Sequence, residues 1–178
     1  MSKEMTAQTI RDPIAEARRQ WAAHGWGDAA AGMALVTTIT RCQQILAGRV
    51  EEHLAPLGLT FARFEILRLL GFSRKGRLPM GKISDRLQVH PASVTSAVKR
   101  LEREGLIERV VDRADNRVVL AALLPKGQEL LPPATDAVNR VFESIGLPDE
   151  DLDTLIAMLN PIRVSAGDQI ERRPHRDD

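Results

Sequence analysis

The stretch HPASVTSAVKRLEREG, residues 90–105, reads as a helix almost letter by letter. Pro91 suits a first helical position, where a missing N–H leaves no bond unmade, and Gly105 suits the opposite end. Val94, Val98 and Leu101 recur at i, i+4 and i+7 and make one narrow apolar stripe. The other side carries Ala92, Ser96, Lys99 and Arg103, flanked by Ser93, Thr95 and Arg100. Both acids, Glu102 and Glu104, are held back to the last turn. Taken alone, such a face has two readings, a solvated surface or a surface shaped for a polyanion.

The neighbouring segments bear on that choice. Upstream, GKISDRLQV makes a helix with Ile83 and Leu87 turned inward, and Gln88, Val89 and His90 separate it from the quoted stretch. Downstream, LIERVV and VVLAALL are rich in β-branched and aliphatic residues and flank the charged tip DRADNR, a hairpin with a long loop. Helix, three-residue turn, helix and hairpin is the order of a winged helix-turn-helix. The second helix of such a pair enters the DNA major groove: small residues let the backbone approach, hydroxyls meet base edges and phosphates, and cations neutralise phosphates. On the hairpin tip, Arg113 and Arg117 are placed to reach an adjacent minor groove. Asp115 is expected to orient the Arg117 guanidinium through a charge-assisted bond.

The charge distribution points the same way. The chain of 178 residues carries a net charge of only +1. Between Arg74 and Arg117, however, eleven Lys/Arg stand against six Asp/Glu, a surplus of five, and the remaining 14 basic and 18 acidic residues leave a deficit of four. A basic segment in a near-neutral chain favours a polyanionic partner. The single cysteine, Cys42, precludes an intramolecular disulfide. The polar start MSKEMTAQTIRDP has no signal-peptide core, and no apolar run approaches the ~18 residues needed to span a membrane, so a cytoplasmic protein without membrane partners is expected.

Outside the basic segment the chain reads as helical. PIAEARRQWAAHG forms a short helix, and the glycines of GWGDAAAG are expected to loosen the chain before a long helix over residues 29–55. That helix has a seam of Leu35, Ile39, Cys42 and Leu46, widened by Ile45, Val50 and Leu54. At ~1.5 Å per residue it runs about 40 Å, too long for a small lobe to cover. LTFARFEILRLL follows, with Thr60 as N-cap, and then SRKGRLPMG, a turn and short edge strand at residues 78–80. In GQELLPPATDAVNRVFESI the pair Pro132-Pro133 is expected to kink or break the helix, since an interior proline costs ~3 kcal/mol. A last helix starts near Pro148, with Leu152, Leu155, Ile156 and Leu159 on one face.

Residues 59–127 resemble the MarR family of bacterial transcriptional regulators. The matching pieces are LTFARFEILRLL, HPASVTSAVKRLEREGLIERV and, above all, DNRVVLAALLPKG. In the family the last piece runs Asp-x-Arg, an aliphatic strand, then Leu-Thr-x-x-Gly; Asp115, Arg117, Leu123 and Gly127 fall in register. Leu124 departs from the pattern, standing where the family usually has a capping Thr, and Pro125 is placed to start the next helix instead. The resemblance implies a mainly α (α+β) winged helix-turn-helix with long N- and C-terminal dimerisation helices. The implied division is residues 8–58 and 125–164 for dimerisation, 59–124 for DNA binding, and a disordered tail at 165–178. It implies a homodimeric, ligand-responsive repressor on a pseudo-palindromic operator in double-stranded DNA, acting at the bacterial nucleoid. Carried over by position, the DNA contacts fall on His90, Pro91, Ala92, Ser93, Thr95, Ser96, Lys99 and Arg100, with Arg117 in the wing.

The added N-terminal helix is similar to a urate-responsive subgroup, in which a Trp, an acid and an Arg cooperate. The equivalents here are Trp21, Glu65 and Ala97. With the arginine missing, the resemblance implies a different small aromatic or anionic effector, and no resident cofactor.

Cys42 has two readings, an oxidant sensor or a packed residue of the seam, and its mid-helix position, where burial would blunt its reactivity, favours the second. Trp21 and Trp26 read as core plugs or, for Trp21, a ligand wall. His24, His53, His90 and His175 make no i, i+4 pair, so no metal site is expected. No Ser-His-acid set, Gly-rich phosphate loop or zinc-protease motif is present, so no enzymatic chemistry is expected. A winged helix serving only protein–protein contacts is the rival to DNA binding.

Overall fold

A computed structural model describes residues 12–87 and 91–170. Among the described residues seven helices and three strands follow one another as α1 (Pro13–Ala23), α2 (Gly27–Leu54), a 3-10 turn (Ala55–Leu57), α3 (Phe61–Phe72), β1 (Arg77–Pro79), α4 (Met80–Leu87), α5 (Pro91–Arg103), β2 (Ile107–Val111), β3 (Val119–Leu123), α6 (Pro125–Phe142) and α7 (Asp149–Ser165). By contacts the chain divides into two compact units, Met1–Val141 and Phe142–Asp178. The architecture is mainly helical with a small antiparallel sheet, a winged helix-turn-helix.

Local chemistry sets the helix ends. Asp12 caps α1, its carboxylate accepting the N–H groups of Ile14 and Ala15 at 2.9 and 3.2 Å. The Thr60 hydroxyl accepts the Arg63 N–H and opens α3, as its sequence predicts. Helix α5 closes in a Schellman motif: the Leu106 N–H reaches the Leu101 carbonyl and the Gly105 N–H reaches Glu102. Gly105 lies at φ +70°, a left-handed conformation that a side chain would strain, and Leu101 and Leu106 are both buried at the turn.

The sheet order is β1-β3-β2, so the short strand β1 pairs with β3 and ties the wing to the body. Across the hairpin Arg109 faces Ala121 and Val110 faces Leu120, leaving residues 112–118 as the tip. Leu120 and Ala121 are buried, joining the lobe interior with Leu67, Leu70, Ile83, Val98 and Leu101. At the wing base, α6 crosses so closely that a Cβ on Gly127 would sit 2.2 Å from the Leu106 carbonyl oxygen. The family-like glycine there is a requirement of packing.

Three expectations are corrected. Helix α6 runs unbroken through Pro132 and Pro133. Both prolines are exposed, as are Gln128 and Glu129, whose carbonyls lose their helical donors, so solvent can supply the missing bonds. The segment from residue 165 does not begin disordered: Ser165 completes α7, and Asp168 pairs with Arg163 at 2.9 Å. Residues 171–178 of that proposed tail, like residues 8–11, lie outside the described residues. The GWGDAAAG stretch breaks the helix only at residues 24–26, and α2 already begins at Gly27. In α6, Leu131, Ala134, Ala137 and Val138 join the same hydrophobic core.

Along α2 only Ala30, Val50 and Leu54 are buried. The seam residues Leu35, Ile39 and Ile45, with the neighbouring Val36, are between 39% and 65% exposed in the single chain. In its own unit α7 likewise leaves Leu155, Ile156, Met158 and Ile162 open. None of the described helices is long and apolar enough to cross a membrane.

Candidate nucleic-acid interface

On α5 the two faces predicted by spacing separate cleanly. Val94, Val98 and Leu101 are buried, whereas Ala92, Ser93, Thr95, Ser96, Lys99, Arg100 and Arg103 are exposed. Pro91 starts the helix, and His90 lies outside the described residues. The position of the acids is explained by contacts that spacing alone does not reveal. Glu104 takes the Arg63 guanidinium of α3 at 2.7 Å and also pairs with Arg100. Arg63 is locked further by the Gly58 carbonyl at 2.7 Å. Glu102 pairs with Arg109 of β2 at 2.8 Å, and that hydrogen bond holds its carboxyl below the usual carboxylate range.

The two acids therefore brace the end of α5 against α3 and β2. Arg100 is partly neutralised by this, but Lys99 and Arg103 have no ion-pair partner among the described residues. With Ser96, Glu102 and Arg109 they line an open groove of about 370 Å³ between helix and wing. Cations outnumber acids there by three to one. Concave surfaces of one sign concentrate the field seen by an approaching polyanion.

The wing tip corrects one expectation. The Asp115 carboxylate accepts the backbone N–H of Arg117 at 2.9 Å, not its guanidinium. Asp112 does the same for Ala114 at 2.9 Å, and Val118 donates back to the Asp115 carbonyl at 2.9 Å. A short carboxylate reaches the amide two residues on more readily than the far end of a long side chain. Both aspartates thus shape the loop, and the exposed guanidinium groups of Arg113 and Arg117 have no ion-pair partner among the described residues.

Of the expected effector pair, Trp21 does not line the cavity beside Glu65. Trp21 packs on Trp26 with ring centroids 5.3 Å apart and remains 38% exposed, so neither tryptophan is a core plug. Glu65 is half-buried, and desolvation raises its carboxyl above the ordinary range. It borders a cavity of about 40 Å³ shared with Ala62, Ile66, Leu87, Ser93, Val94 and Ala97, a lining that does not include Trp21. That space holds little more than a water molecule and is too small for an aromatic ring. Cys42 is exposed in the single chain, since none of the described residues covers that part of α2. Among the described residues no group of three or more His, Cys, Asp or Glu is placed to hold a metal.

Comparison with known proteins matches residues 59–119 to the MarR family. The HTH-type transcriptional regulator MhqR of Bacillus subtilis is 28% identical over 134 residues, covering 74% of this chain and 91% of that protein. The uncharacterised HTH-type transcriptional regulator YkoM of the same organism is 33% identical over 113 residues, covering 61% and 68%. Among solved structures, Sco5413, a MarR family transcriptional regulator from Streptomyces coelicolor, superposes with a TM-score of 0.70 at 44% identity, covering 79% of this chain and 99% of that one. Sco3205, a MarR family regulator of the same organism solved in complex with DNA, shares the fold at 23% identity with a TM-score of 0.67, covering 78% and 90%.

Proposed function

This chain belongs to the MarR family of transcriptional regulators, and from that premise we propose that it is a homodimeric repressor gripping a pseudo-palindromic operator with α5 and the wing of each subunit. It is a regulator and not an enzyme, as its family and relatives are. The observation that carries the DNA-binding reading is the sorting of charge on α5. Its acids are tied to Arg63 and Arg109, while Lys99, Arg103, Arg113 and Arg117 stay exposed. Ala92, Ser93, Thr95 and Ser96 are the base-edge and phosphate contacts on this reading, and Lys99, Arg100 and Arg113 neutralise phosphates. Arg117, its backbone pinned by Asp115, enters the minor groove. The DNA held by the related fold of Sco3205 is in keeping with this.

The exposed apolar seam of α2 supports the dimer, since stable soluble proteins rarely leave a contiguous apolar stripe uncovered. Residues 8–58 and 125–164 would supply the subunit contacts, and Cys42 then lies within the covered seam as a packing residue. Two copies would put their recognition helices about one DNA turn, ~34 Å, apart. The effector is a small molecule whose entry must enlarge the space beside Glu65 or use another site.

Sheared genomic DNA from the source bacterium, captured on the purified protein and sequenced, tests the reading. A few enriched intergenic fragments with an inverted repeat are expected, one of them near the gene itself. Recovery of no fragment at any salt concentration would leave the protein–protein module as the better account.

A further inference from the structure

A second cationic hollow lies away from the groove-facing surface. It opens between the C-terminal end of α3, the 73–76 turn and α6, with a volume of about 570 Å³, a size ordinary for small-ligand sites. Leu123 at the end of β3 donates to the Gly76 carbonyl at 2.8 Å, which fixes this turn at the end of the sheet opposite the wing tip. Its charge is therefore not part of the proposed DNA contact.

Arg68 is the central residue. Its Nη1 is held by the Thr135 hydroxyl at 3.3 Å, and that hydroxyl, donating to the Leu131 carbonyl at 2.7 Å, faces the guanidinium as an acceptor. The guanidinium lies 4.3 Å over the ring of Phe72, which is itself 74% exposed. Its Nε–H is buried and meets no acceptor among the described residues. Gly71 makes room for this arrangement: an added Cβ would stand 2.8 Å from Nη2 and 2.7 Å from Leu131 Cδ1. The guanidinium is thus packed and fixed, yet no carboxylate pairs with it among the described residues. Arg74 and Lys75 line the same hollow, also without an ion-pair partner among those residues, and no acid lines it. A fixed, partly desolvated guanidinium without a counter-charge is poised for an oxyanion, because its fork matches carboxylate and phosphate geometry.

We propose that this hollow binds a small organic anion bearing a carboxylate or phosphate, with Arg68 as the anchoring donor and Arg74 and Lys75 supplying attraction. Gln128 offers a neutral hydrogen-bonding group, and Leu123, Leu131 and Pro132 offer an apolar floor for the rest of the ligand. The site goes beyond the DNA-binding reading and does not depend on it.

Thermal unfolding of the full chain, titrated separately with benzoate and with phenyl phosphate at fixed ionic strength, tests the site. At least one should raise the midpoint along a saturating curve, as linkage requires, and comparison of the two identifies the oxyanion preferred. Arg68→Gln should weaken that response at least about tenfold, the scale of one charge-assisted bond. The exposed double variant Arg74→Gln/Lys75→Gln keeps the core intact and should weaken it severalfold, so the test stands even if Arg68→Gln fails to fold. Without the anion, this double variant should bind captured DNA as the parent does. Failure of both anions to give a saturating response, or variants that respond like the parent, would overturn the proposal.

Discussion

The winged lobe and helix α2 follow the same rule of apolar spacing and end differently. In the lobe, Val94, Val98 and Leu101 of α5 are no more than 2% exposed, covered by α3, α4 and the sheet. Along α2, Leu35, Ile39 and Cys42 recur at the same i, i+4, i+7 spacing, yet all three are exposed. The difference lies in what stands opposite. Periodicity states which face is to be buried but not whether the burying surface belongs to the same chain. The lobe carries its own answer, whereas the exposed stripe of α2 is what the proposed dimer would cover.

Substitutions in the two regions should therefore fail differently. Leu101→Ala should lower unfolding stability by ~2–5 kcal/mol, read by denaturant titration, with no dependence on protein concentration in the lobe's own packing. Ile39→Asp should instead act on assembly, weakening the dimer by ~3 kcal/mol in sedimentation equilibrium, because an unpaired charge would be placed in the covered seam. Loss of lobe stability without a change in association would break the contrast. Gly127→Ala should come next, at ~1–3 kcal/mol, since the backbone of Leu106 must yield to the new methyl group.

The smallest effect is at Glu65. Its folded-state carboxyl is raised by burial, so the folded chain binds a proton more tightly than the unfolded chain does. Stability contributed by that proton is present below the unfolded carboxylate range and is lost as pH rises through the folded value. Glu65→Gln should accordingly raise the thermal midpoint at neutral pH, with the gain vanishing in acid. An equal gain at every pH would assign the effect to something other than titration.

What was legible in advance was local. The Thr60 cap, the stripe on α5, the terminating Gly105 and the hairpin with its charged tip each rest on neighbours in sequence, and each appears in the fold. What was not legible depends on approach in space. Arg63 and Glu104 stand 41 residues apart, and nothing in either segment announces their bond. The acids in the last turn of α5 were a signal, but their partners were not readable. Pro132 and Pro133 are tolerated because their side of α6 faces solvent, a property of placement rather than composition. At Asp115 two hydrogen bonds competed for one carboxylate, and the shorter loop closure won. The Arg68 hollow, gathered from α3, a turn and α6, had no contiguous trace at all.

The account rests on α5 and the wing gripping duplex DNA through their exposed cations. Fluorescence anisotropy of a captured operator fragment, titrated with the parent and with Arg117→Ala across a range of salt, tests that most directly. With ~6–10 phosphate contacts per dimer, affinity should fall by about 10³–10⁵ between roughly 50 and 200 mM salt. Arg117→Ala should weaken binding by ~1–3 kcal/mol. A flat salt response, with the variant binding as tightly as the parent, would contradict it.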